Sequence, residues 1–138
     1  MLEDMIKMYL APGDAPDWKC SGCDKQGCVQ ELKILKWPRV LCVMLKRFCH
    51  VPMLGIVKTT NRVWFPEILE ELDNRPRYRL RSVCIHHGFD LMSGHYKFCV
   101  RTEEGWFHCD DHKRPDKVNL ETNVLTREPY ILFYERLD

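Results

Sequence analysis

His95 stands between Gly94 and Tyr96, and fourteen residues beyond Tyr96 come Asp110 and Asp111, just past Trp106. A histidine that opens one strand, with a carboxylate that closes the next, can form the base half of a nucleophilic triad. The acid fixes the imidazole tautomer and stabilises the imidazolium as it forms. The imidazole then takes a proton from a thiol or hydroxyl. Gly94 suits a place where a substrate backbone must come close. Gly88 ends the preceding strand, and residues 89–93 form a loop able to gate the site. The plain alternative is a histidine and an acid on a solvated hairpin. His108 and His112 flank the two acids, so a histidine–aspartate metal cluster is a further alternative.

The elements that must carry these residues can be read from pattern. Residues 1–10 place Leu2, Met5, Ile6, Tyr9 and Leu10 at helical spacing, ended by Pro12 and Gly13. Residues 11–28 are polar and read as turns. Val29 to Trp37 reads as a strand closed by Pro38. Val40 to Phe48 is apolar enough for a strand covered on both faces. Residues 56–65 read as a strand, followed by Phe65-Pro66 and a short helical turn through Leu72; residues 73–76 form a loop. Tyr78 to Ile85 alternates, with Tyr78, Leu80 and Ser82 on one side. His95 to Arg101 and Trp106 to Cys109 are two more strands, joined through Thr102-Glu103-Glu104-Gly105, a hairpin turn ending in glycine. Tyr130 to Glu135 is a last, centrally buried strand. Short turns and little helix predict an α+β fold built on a mainly antiparallel sheet, as one domain over residues 1–138.

Composition narrows the function. The 21 basic and 20 acidic residues leave a net charge of +1, which predicts neither a nucleic-acid footprint nor a polybasic membrane patch. No run reaches the ~20 apolar residues of a membrane span. The acidic start, Met1-Leu2-Glu3-Asp4, is unlike a secretory signal, so a reducing compartment, cytoplasmic or nuclear, is expected. The eight cysteines are then free thiols or metal ligands. Cys42, Cys84 and Cys99 sit in apolar runs and read as space fillers.

Taken together, the motifs resemble the carboxyl-terminal half of the ubiquitin-specific protease catalytic domain, a papain-like cysteine deubiquitinase. Tyr78, Leu80, Ser82, Val83, His86, Gly88, Gly94, His95 and Tyr96 follow that family's histidine box. Trp106, Asp110 and Asp111 follow its aromatic–acid–acid element, and Tyr130, Leu132 and Tyr134 its closing strand. Pro38, Leu41, Leu45, Lys46, Arg47 and Phe48 match an upstream motif, and Phe65-Pro66 also fits. The resemblance implies the palm and part of the fingers of that fold. It makes His95 the base and Asp110 the orienting acid, with Gly88, Gly94, Tyr96 and Asp111 meeting the substrate. Ubiquitin or a ubiquitinated protein is the implied partner, and no cofactor takes part in the chemistry.

Two parts of the family pattern are incomplete. Its nucleophile box, Gly-x-x-Asn-x-Gly-Asn-Thr-Cys, does not occur in these 138 residues. The expectation is a fragment or split product that is inactive alone; a pseudo-enzyme serving as a ubiquitin-binding scaffold is the rival. Cys49 is the least constrained substitute thiol. Cys20-Ser21-Gly22-Cys23 has the spacing of a zinc knuckle, but tetrahedral zinc needs four ligands. The resemblance makes this pair half of a structural zinc site, and Cys28, Cys49 and His50 lack regular spacing for the other half. A stand-alone zinc-binding module is a third reading. Lys46-Arg47 reads as a charged strand end, and Trp106 and Phe107 as core.

Overall fold

The computed structural model describes residues 1–71, 74–88 and 93–137. The chain divides into two compact units, Met1–Lys36 and Trp37–Asp138.

The first unit holds helix α1 (Leu2–Leu10), as the spacing predicts. Glu3 and Asp4 lie in its first turn and Lys7 in its last, which suits the helix dipole. Strands β1 (Gly13–Lys19) and β2 (Gln26–Gln30) then pair as an antiparallel hairpin, with Gly13 opposite Gln30 and Lys19 opposite Gln26. The expectation of turns over 11–28 is therefore corrected. The hairpin hides no full face from water, so its backbone ladder left no apolar alternation to read. The strand expected over Val29 to Trp37 ends at Gln30, and Leu32, Ile34 and Leu35 beyond it are exposed.

The second unit is built on a seven-stranded sheet. It contains β3 (Val40–Met44), β6 (Ile68–Leu69), β7 (Tyr78–His87), β8 (His95–Thr102), β9 (Gly105–Cys109), β10 (Asp116–Val118) and β11 (Ile131–Arg136). The order is β10-β9-β8-β7-β11-β3, with β6 on the start of β7, and every pairing is antiparallel. The α+β, mainly antiparallel expectation holds. Tyr78, Leu80 and Val83 of β7, Cys99 of β8, and Leu132 and Tyr134 of β11 are fully buried. Tyr78 donates its hydroxyl to the Pro38 carbonyl and Tyr134 donates to the Pro66 carbonyl at 2.8 Å. Each buried phenol thus meets a partner that offsets its desolvation. Trp106 is buried, as expected of a core residue.

Three further readings are corrected. β3 is an edge strand, and Val40, Cys42 and Met44 on one of its faces are exposed, so it is not covered on both sides. The apolar run also does not continue as one strand to Phe48. It breaks at Leu45–Arg47, and β4 (Phe48–Val51) pairs with β5 (Gly55–Lys58) in a separate hairpin; no strand covers 59–65. The helical turn expected after Pro66 is instead the short strand β6, while Leu72 and Asp73 lie outside the described residues.

The break at Leu45–Arg47 has a cause. Lys46 is exposed, as a charged strand end should be, but Arg47 is only 4% exposed. Its guanidinium donates to the carbonyls of Pro129 at 2.6 Å, Thr59 at 3.1 Å and Asn61 at 3.0 Å. One planar, fork-shaped donor group therefore ties the segments at 59–61 and 129 to the end of β3.

Candidate active site

The site is built on the β8–β9 hairpin. A two-residue turn at Glu103 and Glu104 sets Thr102 opposite Gly105, and the ladder runs back to Phe98 opposite Cys109. One more step puts Lys97 opposite Asp110. His95, two residues before Lys97, shares its face of the strand and reaches Asp110 diagonally. His95 Nε2 lies 2.5 Å from Asp110 Oδ1, and Lys97 Nζ is 3.1 Å from Oδ2. Lys113 Nζ joins the same Oδ2 at 2.8 Å, after a turn in which its amide donates to the Asp110 carbonyl at 3.0 Å. Asp111 is exposed, and its Oδ2 stands 3.6 Å from His95 Nδ1. His95, Lys97, Asp110, Asp111, His112 and Lys113 line a cleft of about 460 Å³.

Charge fixes the tautomer. Hydrogen bonds from Lys113, then His95, then Lys97 outweigh desolvation and hold the Asp110 carboxyl well below the usual carboxylate range. Ionised, it only accepts, so the proton on the facing histidine nitrogen belongs to Nε2. Nδ1 is left with its lone pair directed away from Asp110, at 3.6 Å from the nearest Asp111 oxygen, beyond a hydrogen bond. In the neutral imidazole it is a base with no proton of its own. On the facing strand, His87 lies opposite His95 in the ladder, its pKa lowered by burial first and then by Lys97, Arg127 and Lys58.

The glycines serve the wall beside this cleft. Gly94 has φ +159°, and a Cβ there would fall 2.0 Å from His86 Nε2; one on Gly88, at φ +152°, would fall 2.7 Å from the Ser93 carbonyl oxygen. Both positions therefore demand glycine because of the backing they press against. His86 itself is buried, packed among Tyr96 at 4.8 Å, Phe48 at 5.8 Å and Tyr130 at 5.9 Å between ring centroids. Lys58, from the β4–β5 hairpin, donates to the carbonyls of His86 at 2.7 Å and Gly88 at 2.8 Å. Tyr96 keeps about half its surface open (48%) while its ring leans on His86. Most of the gating loop expected over 89–93 lies outside the described residues.

Of the expected site residues, the structure brings His95, Asp110 and Asp111 into one cleft. Gly88, Gly94 and Tyr96 gather instead around His86. Sequence reasoning missed Lys97, Lys113 and Lys58. The first two were within reach, because the hairpin turn fixes the register that puts Lys97 opposite Asp110. Lys58 arrives from a distant hairpin, and no spacing announces it.

Residues 15–134 match the ubiquitin carboxyl-terminal hydrolase family. The chain belongs to that family. It is 33% identical to mouse ubiquitin carboxyl-terminal hydrolase 51 over 99% of its own length and 24% of the relative's. It is also 33% identical to human ubiquitin carboxyl-terminal hydrolase 22, over 98% of its length and 30% of that protein's. The chain thus spans about a quarter to a third of these relatives. Among solved structures it superposes on the yeast SAGA DUBm containing a mutant Sgf73 with a TM-score of 0.83 at 25% identity, over 99% of this chain and 33% of that one. The SAGA Ubp8/Sgf11/Sus1/Sgf73 DUB module bound to ubiquitin aldehyde gives a TM-score of 0.81 at 25% identity, with the same coverage of each chain. The palm-and-fingers, papain-like fold class expected from the motifs is the one these neighbours share.

Within this hydrolase family member the thiols are unevenly suited to chemistry. Burial pushes the Cys84 and Cys99 thiols up, away from the reactive thiolate. They are the space fillers expected, whereas Cys42 is exposed on the β3 edge. Cys49 is exposed on β4, with its Sγ 3.7 Å from the Val57 carbonyl oxygen. None of the eight stands at the start of α1, whose dipole could activate it.

Cys20 and Cys23 lie in the loop between β1 and β2. Backbone amides of Gly22 and Cys23, and then the Cys23 thiol, lower the Cys20 pKa. That suits a thiolate ligand, yet the pair supplies two sulfurs where structural zinc takes four donors. Cys28 sits along β2 opposite Ala15 rather than at the turn. Among the described residues, the one group of three donors near enough to share an ion is His95, Asp110 and Asp111. Two ammonium groups already occupy Asp110 Oδ2 there, and their repulsion opposes a divalent cation.

Proposed function

We propose that these residues form the base-and-acid portion of a cysteine-type deubiquitinase domain, acting on the peptide or isopeptide bond after the terminal glycine of ubiquitin. The observation that carries this reading is the 2.5 Å contact between His95 Nε2 and an ionised Asp110, which leaves Nδ1 as a free base. A thiol from polypeptide outside these 138 residues gives its proton to Nδ1 and attacks the carbonyl carbon. His95 returns that proton to the leaving amine, and Asp110 holds the ring throughout. Gly88, Gly94, Tyr96 and Asp111 line the approach for the ubiquitin tail. The family match and the ubiquitin-aldehyde complex among the structural neighbours support ubiquitin as the partner. No cofactor enters the chemistry, and Cys20 and Cys23 supply half of a structural zinc site. A cytoplasmic or nuclear setting follows from the reduced thiols this requires.

The test is turnover of a ubiquitin–fluorophore conjugate. The 138-residue chain alone gives none. The complete gene product turns the conjugate over, and His95→Ala lowers its kcat by about 10³-fold or more. Turnover untouched by that substitution would refute the assignment. The absence of an Asn-x-Gly-Asn-Thr-Cys box from these residues favours one rival, a scaffold that binds ubiquitin without cutting it. Ubiquitin binding by the complete product with no turnover would establish that rival.

A further inference from the structure

Asp110 has more cationic partners than an orienting acid needs. One oxygen serves His95, and the other is shared by two ammonium groups. We infer that Lys97 and Lys113 are positioning residues: they clamp the outer oxygen of Asp110, hold the carboxylate toward His95 and share its charge with the imidazole. This inference rests on the His95–Asp110 reading above.

The physical problem is one of balance. A lone carboxylate against a histidine stabilises the imidazolium and raises the imidazole pKa. Cations on the far oxygen oppose that rise without breaking the hydrogen bond to Nε2. The charges that line the cleft with His95 are Asp110, Asp111 and Lys113 from the segment after β9 and Lys97 from its own strand, while Lys58 is bound to the His86 and Gly88 carbonyls at the end of β7. His112 lines the same cleft, and His87 faces it across the ladder, its own pKa lowered. The two lysines divide the work unequally. Lys97 is about a quarter exposed (26%) and rises from the pleat of β8, so its reach is set by the strand; Lys113 is 76% exposed and set by a local turn. Lys97 is the firmer half of the clamp.

The experiment is an NMR titration of the His95 imidazole in the 138-residue chain, with ring nitrogen shifts reading the tautomer. The wild type shows the proton on Nε2. Lys97→Met with Lys113→Met raises the His95 midpoint by about 1 unit, because the carboxylate then acts on the imidazolium unopposed. Lys113→Met alone, at an exposed position that leaves the fold intact, raises it by less, and Lys97→Arg restores the wild-type value. A lysine that merely packed would not move the midpoint in a charge-dependent way. An unchanged midpoint in the double variant and in Lys113→Met, while Asp110→Asn lowers it, overturns the clamp and leaves the histidine–acid pair standing. No response to Asp110→Asn either would show that the pair itself is absent, and both readings fall.

Discussion

Two hairpin ends in this chain carry side chains fit for chemistry, and they differ in how much of a site one hairpin can assemble. At the β8–β9 end, a two-residue turn locks the register, and the pleat puts His95 and Lys97 on one face with Asp110 across from them. At the β1–β2 end, the loop between Lys19 and Gln26 folds Cys20 against Cys23 and stops there. A base and its acid need two residues, and one hairpin delivers both. A tetrahedral metal needs four ligands, and one hairpin delivers two. The first end assembles its histidine–acid pair by itself; a metal at the second would need donors from elsewhere.

The comparison breaks most sharply at Asp110. In the complete gene product, Asp110→Asn should lower kcat by about 10²–10⁴-fold, since an amide can present either an acceptor or a donor to Nε2 and no longer fixes the tautomer. A rate within about twofold of the wild type would mean the β8–β9 end is not self-sufficient. Next in size is Gly94→Ala, whose new Cβ would overlap His86. Because His86 is packed by three aromatic rings, it cannot withdraw. A loss of about 2–3 kcal/mol of stability, read from denaturant unfolding, is expected. A neutral Gly94→Ala would mean that glycine there serves the substrate alone.

Acid sharpens the contrast further. The Asp110 pKa is lower folded than unfolded, so its contribution to stability is full above the unfolded value near 4 and fades as pH falls through the lower folded value. The stability gap between wild type and Asp110→Asn should therefore narrow as pH falls below about 5, where the carboxylate takes up its proton. A gap that does not narrow below about pH 5 would contradict the ionised carboxylate on which the tautomer assignment depends.

How much of this was legible in the sequence follows the same division between local and distant. The β7, β8, β9 and β11 strands were readable because alternation or apolar runs mark a sheet with a buried face, and Thr102–Gly105 marks its turn. The His95–Asp110 pair was readable because one turn joins its strands. β1 and β2 were not, since Gly13–Lys19 buries no face and so writes no pattern. Nor was the role of Arg47: a charged residue beside an apolar strand reads as exposed, and only the arrival of the Thr59, Asn61 and Pro129 carbonyls makes its burial affordable. β3 misled for the opposite reason. An apolar run predicts cover on both faces, and composition cannot say whether the cover lies within the same 138 residues.

The smallest expected effect lies at the other hairpin end. If Cys20 and Cys23 are two ligands of four, the 138-residue chain should purify with well under one zinc per chain, and a chelator should leave its melting temperature unchanged. Two sulfurs alone leave the ion half coordinated, while a structural site stabilises a fold through a complete ligand set. The amides of Gly22 and Cys23 that lower the Cys20 thiol work without any metal, because they stabilise the thiolate by hydrogen bonding. Cys20→Ser should accordingly make the melting temperature no more responsive to chelator than the wild type. Stoichiometric zinc, lost together with thermal stability on chelation, would show that this chain completes the tetrahedron from its own donors. The two hairpin ends would then be equally self-sufficient, and the contrast between them would vanish.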